Sequence, residues 1–119
     1  MNKTVLAVVD DMIFAAKIRA VAQAIEVNVR FPRSKESAIA EVKAMSPEVI
    51  VVDLHGQRLD PLELARELKA DATTQQSMLL GFYSHVETRL KNDALGAGYD
   101  QVVPRSVFVR DLEKILAGE

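Results

Sequence analysis

The chain has 119 residues, 49% hydrophobic and 27% charged, which is typical of one soluble globular domain, so we expect residues 1–119 to form a single domain. It has no cysteine, which excludes a disulfide framework, thiolate zinc sites and cysteine nucleophiles. The net charge of −2 argues against direct nucleic-acid binding and the apolar runs are too short to cross a bilayer, so we expect a cytoplasmic protein.

Short apolar segments predict five β-strands. Three of them are almost continuously apolar, as is typical of strands buried on both faces of a parallel sheet, and the second and fifth are weaker and expected nearer the sheet edges. In chain order the predicted strands are Thr4–Val9, Val27–Phe31, Glu48–Val52, Met78–Tyr83 and Gln101–Val103.

Helical spacing of apolar residues predicts a helix after each strand. The clearest stripe is Phe14, Ile18, Val21 and Ile25 in the first helix. The later helices carry Ala38 with Val42 and Met45, Leu64 with Leu68, Leu90 with Ala94 and Ala97, and Leu112 with Leu116.

Capping residues set the predicted helix ends. Ser34 and Ser106 are expected to cap the second and fifth helices, and Asp60–Glu63 (DPLE) to open the third. Ser84–Glu87 (SHVE) is a capping-box pattern before the fourth helix, and Ser46 before a proline ends the second.

Strands that alternate with helices predict an α/β fold. Parallel strands joined by right-handed crossovers place helices on both faces of the sheet. Five strands suit the flavodoxin-like order 2-1-3-4-5, in which ligands bind at the carboxyl ends of the strands.

Three aspartates follow two strands that are neighbours in this order. Asp10 and Asp11 come after the first strand and Asp53 after the third, so we expect their carboxylates to converge within a few ångströms. Like charges at that distance repel one another, and a bound Mg²⁺ removes the repulsion. The alternative is that these aspartates cap the following helices.

Four motifs in the expected order resemble those of response-regulator receiver domains. Val8–Asp11 (VVDD) is similar to the acidic pair of that family, and Ile50–Leu54 (IVVDL) to its phosphoacceptor strand. Leu59–Leu64 (LDPLEL) resembles the stretch that opens its third helix, and Ala94–Gly98 (ALGAG) the end of its fourth. The resemblance covers nearly the whole chain.

This resemblance implies a signalling domain rather than an enzyme. Asp53 would accept a phosphoryl group, and Asp10 and Asp11 would hold Mg²⁺ together with Asp53. The donor would be a sensor histidine kinase, a phosphotransfer protein or a small phosphodonor. A stand-alone domain would signal through a downstream protein partner or a second copy of itself, with no direct contact to nucleic acid or membrane.

The chain departs from the family at the residues that contact and read the phosphoryl group. Arg105 stands where the family has a lysine, and it either pairs with the phosphoryl group or faces solvent. Ungapped alignment places Tyr83 at the family's Thr or Ser position, whereas a one-residue gap places Ser84 there. Val102 replaces the switch aromatic of the fifth strand.

The loop after Asp53 also differs, with Gly56 and Gln57 in place of the family's Met-Pro pair. His55 in this loop either modulates hydrolysis of a phosphoaspartate or faces water. These departures keep a second hypothesis open, a pseudo-receiver that binds proteins without being phosphorylated.

Overall fold

The computed structural model describes residues 3–84 and 88–118, in which five strands alternate with helices as predicted. The strands are β1 (Thr4–Val8), β2 (Asn28–Arg30), β3 (Val49–Asp53), β4 (Met78–Tyr83) and β5 (Gln101–Pro104). The α-helices are α1 (Met12–Ala24), α2 (Lys35–Met45), α3 (Pro61–Ala70), α4 (Thr88–Ala97), α5 (Arg105–Arg110) and α6 (Leu112–Ala117), and a 3-10 helix (Gln57–Leu59) lies between β3 and α3.

The sheet is parallel throughout and has the order β2-β1-β3-β4-β5, which confirms the predicted fold. The weaker segments, β2 and β5, are the two edge strands. Val8 pairs with Val52 and Asp53 with Phe82, so the carboxyl ends of β1, β3 and β4 lie side by side. Ligands bind at this end of the sheet in folds of this order.

Two hydrophobic layers cover the sheet because successive residues of a strand point to opposite faces. Ile50 and Val52 pack with α2, α3 and α4, in what we call the α2–α4 layer. Val49 and Val51 pack with α1, α5 and α6, in what we call the α1–α5 layer. The same alternation directs Asp53 toward the side of the α1–α5 layer.

Two of the predicted helix ends are confirmed, and a third is confirmed in part. Ser34 caps α2 by accepting a hydrogen bond from the Ser37 amide at 3.0 Å, and Ser46 ends this helix in the left-handed conformation. Pro61 is the first residue of α3, as expected, but Asp60 before it makes no side-chain cap hydrogen bond.

The predictions for the last helix were wrong in two respects. Ser106 does not cap it, because the extended Pro104 occupies the N-cap position and the helix begins at Arg105. The segment also divides at Asp111 into α5 and α6. The Asp111 carboxylate is bound to Arg110, and aspartate is a weak helix former because its side chain competes for local hydrogen bonds.

The predicted capping box before α4 falls partly on residues 85–87, so its His85 and Glu87 lie outside the described residues. Within residues 3–84 and 88–118, no helix is long and apolar enough to cross a membrane.

Candidate phosphoacceptor site

The three aspartates lie at the ends of neighbouring strands. Asp53 is the last residue of β3 and is only 5% exposed, whereas Asp10 and Asp11 are exposed and follow β1. Gly56 brings the loop after β3 close to β1, since a β-carbon built on it would lie 3.3 Å from the Asp53 carbonyl oxygen and 3.6 Å from Asp10 Cβ. A larger residue at this position would therefore crowd the ends of the two strands.

The three aspartates follow neighbouring strands as predicted, but their side chains are not gathered into a metal-binding group in this structure. Among residues 3–84 and 88–118, no group of three His, Cys, Asp or Glu side chains is arranged to hold a metal ion. Asp11 caps α1 instead, and its Oδ1 accepts the amides of Ile13 at 2.9 Å and Phe14 at 3.1 Å. The capping alternative therefore applies to this aspartate, whose Oδ2 takes no part in the cap.

Asp10 is engaged by an arginine that sequence reasoning missed. Arg58 Nη1, from the 3-10 helix, lies 3.4 Å from Asp10 Oδ1. The arginine side chain is 74% exposed, so this ion pair is weak and solvent-screened, with about 0–1 kcal/mol expected for such pairs. No motif marks Arg58, because it stands in a loop whose path the sequence does not define.

Asp53 has a distinct partner for each carboxylate oxygen. Oδ1 accepts a hydrogen bond from the His55 amide at 2.9 Å. This contact, between residues two apart, forms an Asx turn and holds the Asp53 side chain against the loop that follows β3. Oδ2 lies 3.6 Å from Arg105 Nη2. A nearly buried carboxylate is tolerable only with such partners, so Arg105 supplies the positive charge at this site.

Arg105 is oriented by an aromatic cluster. Its guanidinium carbon lies 4.6 Å from the centroid of the Phe14 ring, a cation–π contact. Phe14 in turn packs against Phe82 and Phe108, with centroid separations of 5.1 and 5.7 Å. Arg105 Nε is buried and has no hydrogen-bond partner among the described residues. The alternative of an arginine that simply faces solvent therefore does not hold.

Tyr83 and Ser84, the two candidates for the family's Thr or Ser position, lie in different environments. Tyr83 is 6% exposed and packs in the α2–α4 layer, away from the aspartates, in the same cluster as Val102. A large ring from β4 and a small side chain from β5 fill this layer together, which is the reverse of the family's sizes at these positions. Ser84 is exposed at the end of β4, beside the loop that follows Asp53.

His55 connects that loop to β4. Its side chain is exposed, as expected, but its Nε2 also accepts the Ser84 amide at 3.1 Å, so His55 does more than face water. The Asp53 loop is thereby tied to the end of β4 through one imidazole. Both residues were singled out from the sequence, but their contact with each other was not predicted.

Comparisons with known proteins identify the fold. No protein-family model and no curated protein matches the sequence. Solved structures do match. A response regulator from Hahella chejuensis has a TM-score of 0.86 and 20% identity, over 98% of this chain and 93% of that one.

Two further structures match nearly as well. The receiver domain of the sensor histidine kinase PA1611 from Pseudomonas aeruginosa, with a magnesium ion coordinated in its active-site cleft, has a TM-score of 0.84 and 17% identity, over 98% of this chain and 95% of that one. A chemotaxis response regulator of Vibrio cholerae has a TM-score of 0.83 and 16% identity, over 98% of both chains. The chain therefore has the fold of response-regulator receiver domains, as its motifs indicate.

Proposed function

We propose that this chain is a receiver domain that accepts a phosphoryl group on Asp53. The observation that carries the proposal is a nearly buried carboxylate at the end of β3, with the Arg105 guanidinium 3.6 Å from its Oδ2, in a receiver fold. The charge on such a carboxylate makes it a nucleophile, and the guanidinium offsets charge that builds up on the incoming phosphoryl oxygens.

The proposed chemistry is an in-line displacement. An Asp53 oxygen attacks phosphorus while the bond from phosphorus to a phosphohistidine nitrogen of the donor breaks. The donor imidazole leaves with that electron pair and is protonated from solvent. Catalysis of such a transfer depends on positioning and electrostatic stabilisation more than on proton transfer. Arg105, fixed on the Phe14 ring, is the group that provides both.

The three aspartates fit Mg²⁺ by their chemistry, because it prefers hard carboxylate oxygens and keeps several waters. Asp10, Asp11 and Asp53 would hold the ion, which when bound neutralises the charge shared by Asp53 and the phosphoryl oxygens. Asp11 can contribute Oδ2 without losing its cap. Asp10 is paired with Arg58 through Oδ1, so in this proposal the arginine and the metal compete for one carboxylate.

Ser84 is the residue that we assign to the hydroxyl position of the site. It stands at the end of β4 beside the loop after Asp53, whereas the Tyr83 ring belongs to the core. When a phosphoryl group occupies Asp53, the Ser84 amide and hydroxyl would donate hydrogen bonds to its oxygens. The Ser84 amide would then exchange its bond to His55 for a bond to phosphoryl oxygen.

The proposed partners follow from this chemistry. The donor is a sensor histidine kinase or a phosphotransfer protein, and the output is a contact with a downstream protein or a second copy of the chain, in the cytoplasm. The usual readout through an aromatic on β5 does not apply, because Val102 stands there. The changed surface in this chain is therefore expected at Ser84 and His55.

A pseudo-receiver is the second candidate, and two observations favour it. The Asp11 carboxylate serves as a helix cap, and Asp10 is paired with Arg58, so both acids have structural partners without a metal. In that case the fold presents a fixed surface for protein binding and Asp53 only stabilises the loop after β3.

Beryllofluoride separates the two candidates because it mimics a phosphoryl group on an aspartate. We expect Mg²⁺ with beryllofluoride to shift the backbone NMR signals of His55 and Ser84. The His55 amide donates to Asp53 Oδ1, and the Ser84 amide donates to the His55 side chain. Asp53→Asn should abolish these shifts, and Asp93→Asn, an exposed aspartate on α4, should retain them. An unchanged spectrum of the folded wild-type protein would establish the pseudo-receiver.

A further inference from the structure

A cleft of about 430 Å³ opens beside Asp10, outside the Asp53 site. Its walls come from the start of α1, the segment between β2 and α2, and the 3-10 helix. A volume of this size is in the usual range of small-molecule sites, roughly 300–1,000 Å³. Of the residues that we assign to the phosphoacceptor site, only Asp10 lines this cleft.

The cleft is positively charged in a chain whose net charge is −2. Arg19, Arg33 and Arg58 line it, with Asp10 as the one acid among its lining residues. Within residues 3–84 and 88–118 no ion pair involves Arg33, and Arg58 has only its weak, exposed pair with Asp10. The first residues of α2, whose N-cap is Ser34, follow Arg33 directly and add the positive end of a helix dipole.

One wall of the cleft is apolar and flat. The Arg19 guanidinium carbon lies 4.7 Å from the centroid of the Phe31 ring, so the two planar groups form a cation–π pair. Met12 also lines the cleft with a side chain that is 85% exposed, unusual for a large apolar residue at a helix start. Guanidinium planes stack on flat ligands, and methionine adapts to their shape.

We propose that this cleft binds a small phosphate monoester that carries a planar apolar group. Three guanidinium groups against one carboxylate match a dianion, and arginine binds phosphate oxygens in a bidentate manner. The Arg19–Phe31 pair and Met12 receive the planar group. This binding is independent of phosphorylation at Asp53 and goes beyond the phosphoacceptor function.

The test is an NMR titration of the full chain with phenyl phosphate in the absence of Mg²⁺, with phenol and inorganic phosphate as the two halves of the probe. Phenyl phosphate is expected to shift the amides of Arg19, Phe31 and Arg33 and to bind at least about tenfold more tightly than either half, a difference of roughly 1.4 kcal/mol. Arg33→Ala should weaken binding by a similar factor.

Two controls locate the ligand. Arg89→Ala removes an exposed arginine from α4, outside the cleft, and should leave the affinity unchanged. Asp53→Asn should also leave it unchanged, since the ligand does not occupy the phosphoacceptor site. Affinity no greater than that of inorganic phosphate, insensitivity to Arg33→Ala, or loss of binding in Asp53→Asn would each overturn the proposal.

Discussion

Replacing Tyr83 by alanine tests whether this ring is part of the core or of the acidic site. The side chain is 6% exposed and packs in the α2–α4 layer. Truncation of a buried aromatic residue to alanine costs about 3–5 kcal/mol, from lost apolar burial and the cavity left behind. Tyr83→Phe keeps the ring and should cost less than about 1.5 kcal/mol, as volume-conserving changes do.

Urea unfolding followed by circular dichroism measures both variants. With a slope of about 1–3 kcal/mol/M, Tyr83→Ala should lower the unfolding midpoint by roughly 2 M at an unchanged slope. The control is Asp93→Asn, an exposed residue of α4 whose change should stay within about 0.5 kcal/mol. A loss in the free energy of unfolding for Tyr83→Ala that is as small as that of the control would refute the placement of this ring in the core. It would favour a position of the ring in the acidic pocket.

Three further variants test other contacts. Arg58→Ala should raise Mg²⁺ affinity about two- to fivefold in an NMR titration, since an exposed pair worth up to about 1 kcal/mol no longer holds Asp10; unchanged affinity would contradict the competition. Tyr99→Phe removes the buried hydroxyl that donates to the Pro61 carbonyl oxygen at 2.7 Å and should cost about 1–3 kcal/mol in denaturant unfolding. Burial raises the pKa of Tyr99, so above about pH 10 the tyrosine ionises in the unfolded state first, and the wild type loses up to roughly 1.4 kcal/mol of stability per pH unit. The difference in free energy of unfolding between wild type and Tyr99→Phe should therefore narrow at high pH. A difference that stays constant would argue against burial as the cause of the raised pKa. Gly98→Ala should lower the free energy of unfolding by at least about 1 kcal/mol, because Gly98 has φ +121° and a β-carbon there would lie 2.8 Å from Lys69 Cγ; a neutral result would mean that this turn relaxes.

The fold could be predicted from the sequence because its signals are local and repeat along the chain. The three apolar segments Thr4–Val9, Glu48–Val52 and Met78–Tyr83 need burial on both faces. The segments between them carry apolar residues at helical spacing, which predicts the helices that cover these strands. Alternation along a strand also carries the face of each residue. Tyr83 and Leu79 are four residues apart on β4, so alternation alone predicts that they share a face of the sheet. Both pack in the α2–α4 layer.

The candidate site was harder to predict because its details depend on side-chain partners that no motif marks. Asp11 caps a helix through Oδ1, and the sequence does not distinguish an aspartate that only caps from one that also binds a metal. Arg58 and His55 reach their partners through a loop whose path is fixed only by tertiary contacts. Phe14 was recognised as a core residue, but its role under Arg105 needed the structure.

The most direct test of the central claim is the intact mass of the protein after incubation with Mg²⁺ and acetyl phosphate. Transfer to Asp53 predicts an adduct of about 80 Da, the mass of one phosphoryl group, which requires Mg²⁺ and is lost when the phosphoaspartate hydrolyses. The adduct should be absent in Asp53→Asn and present in Asp93→Asn. A folded wild-type protein that gains no mass, or an adduct that persists in Asp53→Asn, would contradict the assignment of Asp53 as the phosphoacceptor.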